Sequence, residues 1–251
     1  MKNGEKKITL SKRLEAVAGL IKRNGTLADV GTDHGYIPIA MVLRGHVEKA
    51  IAMDLRTGPL ERARKHITAY GLEDRIETRL SDGVSALAKN EADSIVVAGM
   101  GGELVIHILE TGKAVCKSAK ELILQPQSEI DEVRKYLREN GYRIVDEDMV
   151  EEDQKYYPMM RVVQQEDGEK SEAKETLNHV HLLDLYGPVL LAEKNPVLLE
   201  FLQKQEKHYE EILDGLNRQP DSEKICVRRD EMKEKLEYNR MAQHKMKNAA
   251  V

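Results

Sequence analysis

The chain of 251 residues predicts an α/β fold with a mainly parallel sheet, followed by a smaller all-α domain. Three observations carry that expectation. Short apolar runs alternate with amphipathic stretches from about residue 26 to 139, the order of βα units whose strands are covered on both faces. The strand candidates end in an acidic residue or a glycine-bearing turn, where open α/β sheets take their ligands. After Gln165 the sequence becomes Glu-, Lys- and Leu-rich with no strand signal, so the expected domains are 1–165 and 166–251.

Residues 8–24 place Ile8, Leu10, Leu14, Val17, Leu20 and Ile21 at helical spacing behind Thr9 or Ser11 as a cap, predicting a leading helix that closes at Asn24-Gly25. A first strand follows at 26–30 and a helix from Gly35 to Arg44. Glu48 to Asp54 is a second strand, and Gly58-Pro59-Leu60 opens the next helix with Pro in its first turn. Arg75 to Leu80 alternates as a third strand, with a short helix expected behind Ser81-Asp82-Gly83. Ser94 to Ala98 is a fourth, running into Gly99-Met100-Gly101-Gly102 and a helix through Leu109. Glu121 to Leu124 is a fifth, and a helix spans Ser128 to Glu139. Tyr142–Met149 and Tyr156–Gln164 have no helix between them and form an antiparallel terminal hairpin. Beyond the boundary, Val197–Leu216 and Ile225–Met246 carry apolar residues at three- and four-residue steps, the pattern of two long antiparallel helices in a coiled coil.

A hydrophobic fraction of 41% beside a charged fraction of 33% describes a soluble chain with a real core. Trp is absent and Phe occurs once, so stacking on a base falls mainly to Tyr. Cys116 and Cys226 lack any ligand spacing, which supports neither a disulfide scaffold nor a metal site and points to the cytoplasm. No run is long enough for a membrane span and no signal segment is expected. The net charge of −5 disguises an uneven distribution: residues 1–27 hold seven Lys/Arg against two Glu, and Arg228 to the end holds seven bases against four acids. Basic ends of this kind suit a nucleic-acid partner.

The chemistry sits at the strand ends. Gly31, in Asp29-Val30-Gly31-Thr32-Asp33-His34-Gly35, allows a tight turn and close ligand approach. Asp54 can take both ribose hydroxyl protons of a nucleoside cofactor, and Asp82 can accept from an adenine amine while Gly83 leaves room for the ring. Asp29 would repel a diphosphate but favours a ligand carrying an ammonium and a sulfonium. The implied cofactor is S-adenosylmethionine.

On these residues the chain resembles class I S-adenosylmethionine-dependent methyltransferases, and more closely the bacterial tRNA (adenine-22 N1)-methyltransferase family. The matching stretches are Ser11-Lys12-Arg13-Leu14, Asp29 to Pro38, Ala52-Met53-Asp54, Gly58-Pro59-Leu60, Ser81-Asp82-Gly83, Ala98 to Gly102 and Leu124-Gln125-Pro126-Gln127. The resemblance implies a Rossmann-like catalytic domain followed by a helical coiled-coil domain that binds tRNA, and methylation of N1 of one adenine. It also implies that Asp29, Gly31, Asp54, Leu55, Asp82, Gly83, Gly99, Met100 and Gly101 surround the cofactor. The chain departs from the general class I pattern at Asp33, where a second glycine is usual. Asp33 and His34 therefore become candidate catalytic residues near the adenine, with Tyr36 supporting the base; a helix cap at Asp33 and a solvated His34 are the plainer alternatives. Gly99-Met100-Gly101-Gly102 replaces the Asn/Asp-Pro-Pro-aromatic loop of exocyclic amine methyltransferases, which disfavours N6 chemistry. A methyltransferase of a small molecule or protein, a nucleotide-binding oxidoreductase and a noncatalytic RNA-binding scaffold are the competing readings. No metal is expected, and a monomer is assumed.

Overall fold

The computed structural model describes residues 8–165 and 176–248. The chain divides into two compact units, Met1–Lys170 and Ser171–Val251. The basic residues Lys2, Lys6 and Lys7, and the stretch Glu166 to Lys170 taken from sequence as the boundary, lie outside the described residues.

In the first unit, α1 (Lys12–Gly19) leads into β1 (Thr26–Val30), α2 (Tyr36–Leu43), β2 (Lys49–Asp54), α3 (Thr57–Tyr70) and β3 (Ile76–Leu80). Then come β4 (Ser94–Met100), α4 (Gly102–Thr111), α5 (Lys113–Cys116), β5 (Glu121–Pro126), α6 (Ile130–Glu139), β6 (Tyr142–Glu152) and β7 (Lys155–Gln164). The strands form one sheet in the order β3-β2-β1-β4-β5-β7-β6. β1 to β5 pair in parallel, while β7 is antiparallel to both β5 and β6. Asp153 and Gln154 both take positive φ at the tip of the hairpin, the twist that a two-residue turn between antiparallel strands requires.

Alternation along each strand divides the core in two. Leu27, Ala50, Ala52, Val96 and Ile123 pack with α1, α2 and α3 on one face. Ala28, Val30, Ile51, Val97 and Leu124 pack with α4, α5 and α6 on the other. The central strand β5 is buried from end to end, whereas the edge strand β3 is largely open. This covering aligns the carboxyl ends of β1, β2, β3 and β4 along one edge.

Three sequence expectations change. The leading helix is shorter than residues 8–24. Ser11 caps it, accepting from Leu14 N, but it ends at Gly19. Leu20 and Ile21 are buried outside it, and Glu121 Oε1 takes the N–H groups of Lys22 and Arg23 at 2.9 and 3.0 Å, drawing the chain away from helical bonding. The segment behind Gly83 is a series of turns rather than a short helix. Ser81 Oγ donates to Gly83 O and accepts from Ala86 N, a local side-chain bond that competes with helix formation. The helix α5 was not expected.

The second unit contains α7 (Leu177–Tyr186), α8 (Pro188–Ala192), α9 (Pro196–Asn217) and α10 (Glu223–Asn248). The last two run antiparallel: Asn239 reaches Leu202 O and Arg229 reaches Leu216 O. Leu198, Leu202, Leu216, Met232, Leu236 and Met246 are buried. Asn239 is fully buried with them, donating to Leu202 O and Gln205 Oε1 and accepting from Gln243. The basic character of α10 is largely neutralised by Arg228–Glu231, Arg229–Asp221, Lys233–Asp230 and Arg240 with Glu206 and Glu210.

Candidate active site

A cleft of about 330 Å³ opens at the carboxyl edge of the sheet, lined by the loop after β1, the end of β4, Arg13 of α1 and Gln127 after β5. The first loop turns where Gly31 adopts φ 76°, and Gly31 N and Thr32 N both donate to Met53 O at 2.8 Å. Positive φ is costly for a side-chain-bearing residue. Met100 from the fourth loop places its methyl in the space a Cβ on Gly31 would need. The left-handed conformation therefore calls for glycine here, and the movable end of Met100 fills the space beside it.

Asp29 lies beneath this turn with 6% of its surface exposed and forms no ion pair among the described residues. Burial pushes its carboxyl up to about 6, against the pull of the nearby Thr32 hydroxyl and aided by the negative charge of Asp54. Removing a carboxylate from water disfavours its charged form. Thr32 Oγ1 faces Asp29 without reaching hydrogen-bond geometry, and His34 Nδ1 is buried without a hydrogen-bond partner, a condition that native interiors generally avoid. Unmet polar atoms beside a destabilised carboxylate make the cleft suited to a polar, cationic ligand.

Asp33, His34 and Tyr36 line the same cleft. Asp33 does not cap α2, whose N-terminus has no side-chain cap. Its Oδ1 accepts from Arg62 Nε at 3.0 Å and from Arg62 Nη2, while Oδ2 lies 3.3 Å from His34 Nε2. A carboxylate partner holds the proton of His34 on Nε2, and in the neutral ring Nδ1 is left as an acceptor. The rings of His34, Tyr36 and His66 stand 5.0, 5.3 and 5.4 Å apart, each pair within 18° of parallel. Parallel rings at this spacing form an offset stack. His66 Nδ1 donates to His34 O at 3.0 Å, tying α3 to the first loop. The ring of Tyr36 remains partly open to solvent.

Asp29, Gly31, Asp33, His34, Tyr36 and Gly99 thus share one cleft, whereas Asp54, Leu55, Asp82, Gly83, Met100 and Gly101 do not line it. Asp54 ends β2 with one oxygen bonded to Arg56 N at 2.8 Å. Leu55 beside it is 63% exposed. Asp82 is exposed at the end of β3. The space at Gly83 is used by Ile108 of α4, 3.1 Å from where a Cβ would stand, so this glycine makes way for the protein's own packing. Gly101 caps α4.

Four residues escaped the sequence reading of the site. Arg62 and His66 lie on α3, about thirty positions from their partners, and α3 carried no sign that this face meets the first loop. Arg13 and Gln125 were visible only as members of matching motifs. The bond between them, from Arg13 Nη1 to Gln125 Oε1 at 2.8 Å, spans 112 positions.

Residues 10–160 match a methyltransferase domain family. The chain is 35% identical over 230 residues to tRNA (adenine(22)-N(1))-methyltransferase of Bacillus subtilis, covering 92% of this chain and 95% of that protein. The crystal structure of the B. subtilis m1A22 tRNA methyltransferase TrmK superposes with a TM-score of 0.81 at 33% identity, covering 94% of this chain and all of the other. The Streptococcus pneumoniae protein Sp1610, solved in complex with S-adenosyl-L-methionine, superposes with a TM-score of 0.79 at 32% identity over 94% of this chain and all of its own. With its methyltransferase domain and its identity to the B. subtilis enzyme over nearly the whole of both chains, this chain belongs to the tRNA (adenine(22)-N(1))-methyltransferase family.

Proposed function

We infer that the chain transfers the methyl group of S-adenosylmethionine to N1 of adenine 22 of tRNA. The observation that carries this reading is the conjunction of a buried, ion-pair-free Asp29 with the left-handed Gly31 turn in a cleft of the same fold that holds S-adenosyl-L-methionine in Sp1610. When bound, this cofactor supplies an electrophilic methyl group on a positively charged sulfur.

The chain's own residues then divide the work. Asp29 offers negative charge to the ammonium and sulfonium end, where a neighbouring cation restores its ionised form. Gly31 and Gly99 let the backbone come close. Asp54 has one oxygen engaged by Arg56 N and offers the other to the ribose hydroxyls, and Leu55 covers a face of the cofactor's adenine. Asp82 accepts from that adenine's amine, with Gly83, Met100 and Gly101 completing the surrounding wall.

N1 of the target adenine already carries an in-plane lone pair, so the protein's task is alignment more than proton removal. The base must first leave its stack to present that edge. We assign the stepped rings of His34, Tyr36 and His66 to receiving it. Asp33, steadied by Arg62, holds the His34 ring and places negative charge near the adenine as positive charge moves onto it.

The second unit would hold the tRNA body through Lys235 and Lys245, which form no ion pair among the described residues. We further propose that the enzyme works in the cytoplasm, where its tRNA substrate is, and acts as a monomer. Incubating the protein with labelled S-adenosylmethionine and unmodified tRNA, then digesting to nucleosides, tests the reading. N1-methyladenosine at position 22 is the expected product. Label in N6-methyladenosine, or none in RNA, would contradict it.

A further inference from the structure

At the end of β4 the ladder to β5 slips between Ala98 and Met100. The slip removes Gly99 from the ladder, and its N–H needs a partner elsewhere. Gln125 supplies one: its Oε1 accepts from Gly99 N at 3.1 Å while its Nε2 donates to Pro126 O at 3.2 Å, and the whole residue is buried. The same oxygen accepts Arg13 Nη1 at 2.8 Å. A single buried amide therefore fixes both the fourth loop and a guanidinium on the cleft wall.

Everything that holds this guanidinium is neutral. Besides Gln125, it lies over the ring of Tyr157 at 5.6 Å from the centroid. The nearby Glu152 meets the backbone N of Arg13, at 3.4 Å. No carboxylate among the described residues forms an ion pair with Arg13, although Asp29 lines the same cleft. Beyond the bond to Gln125, the N–H donors of the Arg13 guanidinium have no partner among the described residues. A permanently charged, planar donor group, steadied by neutral contacts on a cleft wall, matches a carboxylate or phosphate.

We propose that Arg13 is an anion-binding residue of the cleft, taking either the carboxylate of the cofactor's amino-acid end or a phosphate of the target nucleotide. The inference rests on the methyl-transfer reading. It makes Gln125 a positioning residue for Arg13 rather than a group that touches either ligand.

Full-length wild type, Arg13→Gln and Arg13→Lys, checked for equal melting temperatures, should be titrated with S-adenosylhomocysteine and with its decarboxylated analogue. Binding of unmodified tRNA should be followed across salt concentrations on the same preparations. If Arg13 holds the carboxylate, Arg13→Gln weakens S-adenosylhomocysteine by roughly 10- to 100-fold and leaves the analogue unchanged. If it holds a phosphate, the cofactor product binds normally, tRNA affinity falls by a similar factor, and the slope of log affinity against log salt drops by about one. In either case Arg13→Lys recovers part of the loss by keeping the charge without the fork. Unchanged affinity for all three ligands in Arg13→Gln overturns the proposal, as does equal weakening of the product and its analogue. A wild type that bound neither cofactor product nor tRNA would remove the methyl-transfer reading itself, and this inference with it.

Discussion

Asp29 and Glu121 are carboxylates buried at opposite edges of the same sheet, and the structure treats them in opposite ways. Glu121, at the amino end of β5, is fully buried, and its Oε1 accepts from Lys22 N, Arg23 N and Ser94 Oγ at 2.8–3.0 Å. Its other oxygen makes no hydrogen bond but lies 3.7 Å from Arg161 Nη1. Asp29, near the carboxyl end of β1, has no ion pair among the described residues and sits beside unpartnered polar atoms and a left-handed turn. A buried charge surrounded by donors holds the fold together; one left short of partners is held for a ligand, at a cost in stability.

The largest effect expected from breaking this contrast is at the satisfied end. Glu121→Leu strands two backbone N–H groups and the Ser94 hydroxyl and leaves Arg161 with Asp146 alone, and should cost about 3–5 kcal/mol, the usual loss on removing one member of a buried charged set. Urea unfolding measures it directly. A loss under 1 kcal/mol would mean that the donors find other partners.

The reaction end should respond in rate rather than stability. Asp33→Ala and His34→Ala are expected to lower single-turnover methylation by roughly ten- to a thousandfold, as for loss of positioning or charge stabilisation, while binding S-adenosylmethionine almost normally. Lost cofactor affinity with an unchanged saturated rate would instead move both residues to the cofactor.

Asp29 sharpens the comparison through pH. Its carboxyl titrates at about 6 in the folded chain and near 4 when unfolded. Between these values the folded state binds more protons, so stability falls as pH rises through the window and the full penalty persists above it. In the absence of ligand, Asp29→Asn should therefore be more stable than wild type by about 2–3 kcal/mol near pH 7.5, with the gain vanishing near pH 4. Denaturant melts at both pH values check it, and a gain independent of pH would point to packing instead.

His66 has the smallest expected effect. His66→Leu removes one ring of the offset stack, and a tRNA turnover defect corresponding to about 0.5–1.5 kcal/mol is expected from steady-state kinetics. Cofactor affinity should not change.

These contrasts also explain what could be read from the sequence. The sheet was legible because its strands are continuous apolar runs separated by glycine turns, and the cleft was legible where acid and glycine sit a few positions apart, as in Asp29 and Gly31. The leading helix was overextended because Leu20 and Ile21 continue its spacing. What ends it is Glu121, a partner 99 positions from Lys22. The His66 ring, the Arg62 clamp on Asp33 and the Arg13–Gln125 bond were hidden for the same reason: each joins side chains on separate elements, and local periodicity carries no record of which helix faces meet. Gly83 was legible as a strand-end glycine, but neither its φ of 53° nor Ile108 of α4, 3.1 Å from where a Cβ would stand, left a local sign.

The most direct test of the account pairs the two carboxylates in one calorimetric experiment, titrating S-adenosylhomocysteine into folded Asp29→Asn and Glu121→Gln at neutral pH. The account predicts that Asp29→Asn, the more stable protein, binds at least tenfold more weakly than wild type, and that Glu121→Gln, the less stable one, binds as wild type does. Normal binding by Asp29→Asn, or a binding loss confined to Glu121→Gln, would contradict the assignment of the carboxyl edge as the cofactor site.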